Sequence, residues 1–116
     1  MARFVFLNAL PLNALPQAQL ELSVVPVDID KLRERLKLAQ RRGIKIVSYI
    51  RHPATVELIN KLLNLDLKPS SELYKYETGD LMFVVTLKKP IRGAEIEKVS
   101  KEDVTIYEVD VIDIFW

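Results

Sequence analysis

Ile44-Lys45-Ile46-Val47-Ser48-Tyr49-Ile50-Arg51-His52-Pro53-Ala54-Thr55-Val56-Glu57-Leu58-Ile59-Asn60-Lys61-Leu62-Leu63-Asn64 changes its hydrophobic period part-way along. Over residues 44–50 the apolar, β-branched residues crowd together as they do in a buried strand. Beyond Pro53, residues Val56, Ile59, Leu62 and Leu63 recur at helical spacing. That spacing predicts a helix running to about Asn64, with those four side chains turned to a core. Pro53 suits the first helical position, because its missing N–H would have no partner there. Arg51 and His52 are left at the junction between strand and helix, where sites at a sheet edge collect.

On the amino-terminal side, Phe4, Val5, Phe6 and Leu7 predict a strand over residues 3–9. Asn8-Ala9-Leu10-Pro11-Leu12-Asn13-Ala14-Leu15-Pro16 follows, and its two prolines leave room for one short helical turn at most. Residues 19–25 alternate as a strand. Asp28 then opens a helix over about 29–42, with Ile29, Leu32, Leu36 and Ala39 as its apolar stripe. Gly43 stops it behind Arg41 and Arg42, cations suited to the negative end of the helix dipole. On the carboxyl-terminal side, residues 72–76 and 81–87 read as a hairpin about the turn Glu77-Thr78-Gly79-Asp80. A basic loop, Lys88-Lys89-Pro90-Ile91-Arg92-Gly93, and a short helical turn near 94–98 come next. A long strand over 104–114 closes the chain. The order predicts one α/β domain over residues 1–116, a mixed β-sheet with helices packed on it.

A chain of 116 residues buries a limited fraction of its surface, so a deep site within one copy is hard to build. A site shared between two copies is easier. Val104, Ile106, Ile112 and Ile114 on one face of the last strand, with Tyr107, Val109 and Val111 on the other, predict a homodimer interface there. Seventeen basic residues against sixteen acidic give a net charge of +1. No duplex nucleic acid is therefore expected as a partner, since duplex binding by bulk charge needs a basic excess. A small anion held by a local cluster remains compatible. No apolar run reaches the roughly 18 residues that a membrane span needs, and the start is too short in apolar residues for a signal peptide. No membrane partner and a cytoplasmic location are the expectations. The chain has one histidine and no cysteine, which leaves no thiolate metal site, and neither metal nor cofactor is expected. Three glycines make no phosphate-cradling loop, dinucleotide fingerprint or nucleophile elbow.

His52 is the most informative residue. At the start of a helix, the N–H groups of Ala54, Thr55 and Val56 are expected to face outward and, with the dipole, to hold a phosphate. An imidazole beside a phosphodiester can carry a proton and pass it to a departing oxygen, a contribution of about a hundred- to ten-thousand-fold. Spacing alone fits a plain helix cap equally. Arg51 and Thr55 also suit a surface charge and a first-turn helix residue. Lys88, Lys89 and Arg92 also read as a solvated loop, and Asn8 and Asn13 as turn residues.

The combination is more specific than its parts. Asn8-Ala-Leu-x-Leu-Asn13, His52-Pro-Ala-Thr55-x-Glu-Leu-Ile-Asn-Lys-Leu-Leu, Thr78-Gly-Asp80 before an apolar strand, the basic loop ending at Gly93 and Ile106-Tyr-Glu-Val109 occur in this order. Over almost its whole length the chain resembles the small viral type III anti-CRISPR ring nucleases and their cellular CRISPR-linked relatives.

That resemblance implies a dimeric α/β protein whose two subunits bind cyclic tetra-adenylate in a shared pocket. It implies metal-free cleavage of the ring, the ribose 2′-OH attacking its own phosphate, with His52 as general acid. Asn8 and Asn13 match the family's ligand-contacting asparagines, and its basic residue after the fifth strand falls on Lys88 or Lys89. The sequence departs from the pattern at Pro11, where many members have serine, at Ser71, where many have arginine, and at Arg92, where an acidic residue is usual. Arg92 is expected to stand in for the arginine missing at 71. A two-fold ligand suits two identical patches. The alternative reading is a protein that binds or sequesters the cyclic nucleotide without cutting it.

Overall fold

The computed structural model describes residues 2–88 and 99–115. Five strands, β1 (Arg3–Leu7), β2 (Gln19–Val27), β3 (Lys45–Ser48), β4 (Leu81–Leu87) and β5 (Val104–Phe115), form one sheet in the order β2-β5-β4-β1-β3. β1 pairs in parallel with both β3 and β4. β5 is antiparallel to β4 and to β2. β1, β2, β3 and β4 thus run one way and only β5 opposes them. The carboxyl ends of four strands share one edge of the sheet, the edge at which α/β folds place their ligands.

Helices α1 (Ile29–Arg41) and α2 (Pro53–Leu63) both start from that edge and lie on the same face of the sheet. Ile29, Leu32, Leu36 and Ala39 are the buried residues of α1, the stripe that the spacing predicts. Asp28 caps α1, its carboxylate accepting from the Lys31 N–H at 2.9 Å. Gly43 ends it at φ +73°, where any other residue but asparagine or aspartate would be strained. α2 buries Val56, Ile59, Leu62 and Leu63 as expected, together with Thr55 and Leu58, and Asn64 closes it in the left-handed region. Arg33 ties the two helices, donating from Nε and Nη2 to the Leu62 carbonyl at 2.9 and 2.6 Å. The core between helices and sheet adds Phe6, Phe83, Val85 and Ile106. Phe6 and Phe83 stack with centroids 5.3 Å apart.

Among the described residues the opposite face has no α-helix. Leu15 and Tyr74, carried on the chain segments after β1 and before β4, cover Val5, Leu7, Met82, Val84 and Val109. Toward β2 the cover ends: Val24, directly opposite Val109, is 53% exposed. The stretch around Pro11 makes one 3-10 turn, Leu12–Ala14, in agreement with the two-proline reading.

The predicted hairpin does not form. The 77–80 turn is present, with the Asp80 N–H donating to the Glu77 carbonyl at 3.0 Å, but residues 72–76 are not a strand. Both edges of β4 are already taken, by β1 and by β5, so no ladder position is left beside it. The chain instead runs extended beneath the sheet, where the Tyr76 N–H donates to the Ala14 carbonyl at 3.1 Å. The helical turn expected at 94–98 lies outside the described residues. Just beyond it, Lys101–Asp103 form a 3-10 turn, boxed by Ser100 and Asp103, before β5.

Candidate functional site

Asn8 directly follows β1, Arg51 and His52 follow β3, and Lys88 follows β4. The parallel registers Phe6↔Ser48 and Leu7↔Val84 bring all four to the same edge. All four are exposed. Lys88 stands one residue past the end of β4, which runs three residues beyond the level of Leu7, so it projects roughly 13 Å farther along the strand direction. Lys89 and Arg92 lie outside the described residues.

His52 occupies the N-cap of α2 yet makes no side-chain cap bond to the helix backbone. The plain capping role is therefore not what its imidazole performs here. Nδ1 lies 3.3 Å from the Thr55 hydroxyl, and Thr55 is 6% exposed. The buried side of the ring is engaged with Thr55, and Nε2 is left to the exposed side. The outward-facing trio of N–H groups is not observed. Thr55 N–H and Val56 N–H both donate to the His52 carbonyl, at 3.1 and 3.2 Å, in a tightened first turn. Pro53 has no N–H, so among the described residues Ala54 is the first-turn residue whose N–H has no partner. No acidic residue lies in that first turn, so the positive end of the dipole is uncompensated.

Arg51 donates from Nη2 to the Ser71 carbonyl at 3.3 Å, while the Ser70 N–H donates to the Ile50 carbonyl at 3.0 Å. The segment before β4 is thereby fastened across the end of β3. It carries Leu73 and Tyr74, which with Leu10, Pro11, Leu12, Asn13 and Ala14 line an open groove of about 610 Å³. Asn13 is exposed in this groove, and neither it nor Asn8 has a side-chain hydrogen bond among the described residues. The Tyr49 and Tyr74 rings pack at 5.1 Å, joining the groove wall to the chain that leads into His52. The sequence-predicted residues thus fall into two neighbourhoods, the strand-end group and the Asn13 groove, linked by the 70–74 segment.

A family model described as STIV B116-like matches residues 4–111. The chain belongs to the STIV B116-like family. Among solved structures, B116 of Sulfolobus turreted icosahedral virus (STIV) superposes with a TM-score of 0.74 at 20% identity. The match covers 92% of this chain and 97% of that one, and likeness at this identity is one of fold. No curated protein sequence matches the chain.

In this STIV B116-like chain the edge opposite His52 holds a cluster of which only Glu77 and Asp80 stand out in the sequence, as parts of a turn. Asp80, 1% exposed, accepts from Arg3 Nε at 2.8 Å and Nη2 at 2.7 Å, from the Tyr74 hydroxyl at 2.6 Å and from the Glu77 N–H at 3.0 Å. Burial alone would push the Asp80 carboxyl up. The Arg3, Tyr74 and Glu77 bonds outweigh it and hold the group below the ordinary aspartate range. Burial, then the hydrogen bond to Asp80, pushes the Tyr74 hydroxyl well above its ordinary value. Asp80 therefore anchors the groove wall from behind. Among the described residues no group of three or more His, Cys, Asp or Glu could hold a metal ion, and no helix is long and apolar enough to cross a membrane.

Proposed function

We propose that this protein is a metal-independent ring nuclease that binds cyclic tetra-adenylate across a homodimer and cleaves it in the host-cell cytoplasm, switching off a type III CRISPR second messenger. The observation that carries the reading is His52. Its imidazole is exposed at the carboxyl edge of parallel strands, on an uncompensated helix N-terminus, with one nitrogen engaged from behind and the other free. Arg51, the Ala54 N–H and Asn8 stand at the same edge as phosphate and ribose partners, with Lys88, Lys89 and Arg92 completing the grip on the anion.

The reaction needs little else from the protein. The ribose 2′ oxygen attacks the neighbouring phosphorus and gives its proton to solvent water. The bond from phosphorus to the 5′ oxygen breaks, and the departing oxygen takes a proton from His52 Nε2. Two such cuts at opposite phosphates of the ring give two linear di-adenylates, each ending in a 2′,3′-cyclic phosphate. The departure at Ser71 is softened in this chain, because Arg51 brings a guanidinium to the Ser71 carbonyl. Asn13 and its groove supply apolar walls and one amide for a base.

The second reading, a protein that holds the ring without cutting it, is favoured by Pro11. Proline cannot donate the hydrogen bond that a serine gives, and it sits in the groove beside Asn13. Incubation with cyclic oligoadenylates of different ring size, with and without EDTA, followed by chromatography of the products, decides between them. Linear di-adenylate formed with and without chelator supports cleavage. Intact ring retained by the protein supports sequestration.

A further inference from the structure

Thr55 is buried, and its hydroxyl has one hydrogen to place. Among the described residues the only partner of that hydroxyl is His52 Nδ1, at 3.3 Å. A buried O–H donor left without an acceptor is costly, whereas the oxygen's lone pairs tolerate an empty place more readily. The hydroxyl hydrogen therefore goes to Nδ1 when the ring is neutral, and the ring's own proton must then sit on Nε2.

We propose that Thr55 is a positioning residue that fixes His52 in the Nε2–H tautomer, with the proton on the exposed side of the ring. In the imidazolium form the contact reverses, Nδ1–H donating to the hydroxyl oxygen, so the ring need not turn when its charge changes, although the hydroxyl hydrogen then gives up Nδ1 as its acceptor. In both states Nε2 carries a hydrogen. When the imidazolium gives its Nε2 proton to a leaving oxygen it becomes the Nδ1–H form, and the Thr55 oxygen goes on accepting from Nδ1, so the ring keeps its orientation through the transfer. A buried hydroxyl three residues into the helix thus sets the resting tautomer and holds the ring in place while its proton moves. Its position at the third helical residue is what makes the contact reachable, since N-cap and third-residue side chains face each other. The consequence for turnover rests on the cleavage reading above. The tautomer does not.

The chain has one histidine, so its ring nitrogens give one set of NMR signals without assignment. Two-bond nitrogen–proton correlation spectra at about pH 9, where an ordinary imidazole is neutral, distinguish the tautomers directly. The wild type is expected to show the Nε2–H pattern. Thr55→Val, which keeps shape and burial, is expected to show a mixture of both tautomers, and Thr55→Ser to restore the wild-type pattern. A wild-type Nδ1–H pattern, or a Thr55→Val spectrum identical to the wild type, overturns the proposal. Thr55→Ala takes its place in the same comparison if Thr55→Val does not fold. In ring cleavage, Thr55→Val is expected to lower kcat about fivefold, the scale of one neutral hydrogen bond, with ring affinity unchanged. An Nε2–H pattern in a protein that cuts no ring leaves this inference standing and removes the cleavage reading instead.

Discussion

Arg3 and Asp80 are 77 residues apart in the chain and meet at the starts of β1 and β4, with two guanidinium nitrogens on the two carboxylate oxygens at 2.8 and 2.7 Å. The pair closes the long excursion between α2 and β4. It also sets Tyr74, whose hydroxyl shares the same carboxylate and whose ring packs against Tyr49. A contact at one edge of the sheet thus places the groove wall that reaches toward the other.

Removing one partner of a buried pair costs about 3 to 5 kcal/mol, and without Asp80 the Arg3 guanidinium would keep, among the described residues, only the exposed Glu77 carboxylate as a charged partner, at 2.7 Å. Asp80→Ala is expected to lose stability on that scale in urea unfolding, and a loss below about 1 kcal/mol would contradict the anchoring role. The folded carboxyl titrates below the unfolded one, so its contribution is present above the ordinary aspartate range and disappears as pH falls through it. The stability gap between wild type and Asp80→Ala should therefore narrow below about pH 4.

The sheet face opposite the α-helices stays apolar where its cover ends, with Leu22, Val24, Tyr107 and Val111 side by side on β2 and β5. We expect a second copy to cover it. Sedimentation at micromolar concentration should give a dimer for the wild type and a monomer for Val24→Lys. A monomeric wild type, with and without the cyclic ligand, would remove the shared site.

Arg51 spends one donor on the Ser71 carbonyl, and among the described residues the rest of its guanidinium has no hydrogen-bond partner. A charge-assisted hydrogen bond to phosphate is worth about 1.5 to 3 kcal/mol. Arg51→Ala and Arg92→Ala are each expected to weaken ring binding about ten- to a hundredfold at low salt. Unchanged affinity in either variant returns that side chain to the solvated surface.

Local features were legible in the sequence because they are encoded locally. Ile29, Leu32, Leu36 and Ala39 mark a helix by spacing, Asp28 and Gly43 mark its ends, and Pro53 fixes the start of α2 and with it the place of His52. The strand order was not legible, since it depends on which distant segments pair. For that reason residues 72–76 look like a hairpin arm until β1 and β5 are seen to occupy both sides of β4. Arg3 and Asp80 carry no spacing signal at all, and Tyr74 reads as an ordinary strand aromatic. The outward N–H trio failed for a geometric reason, because the tightened first turn spends two of the three donors on the His52 carbonyl.

The central claim, that His52 supplies the proton for ring opening, is tested most directly by comparing wild type and His52→Ala on cyclic tetra-adenylate in single-turnover cleavage and in equilibrium binding. His52 is the one histidine of the chain, and histidine is the residue type suited to proton transfer near neutrality. The expected result is retained binding with cleavage slowed at least about a hundredfold, the lower end of general-acid contributions. Wild-type product should end in a 2′,3′-cyclic phosphate. An alanine variant that binds and cuts at the wild-type rate would contradict the assignment.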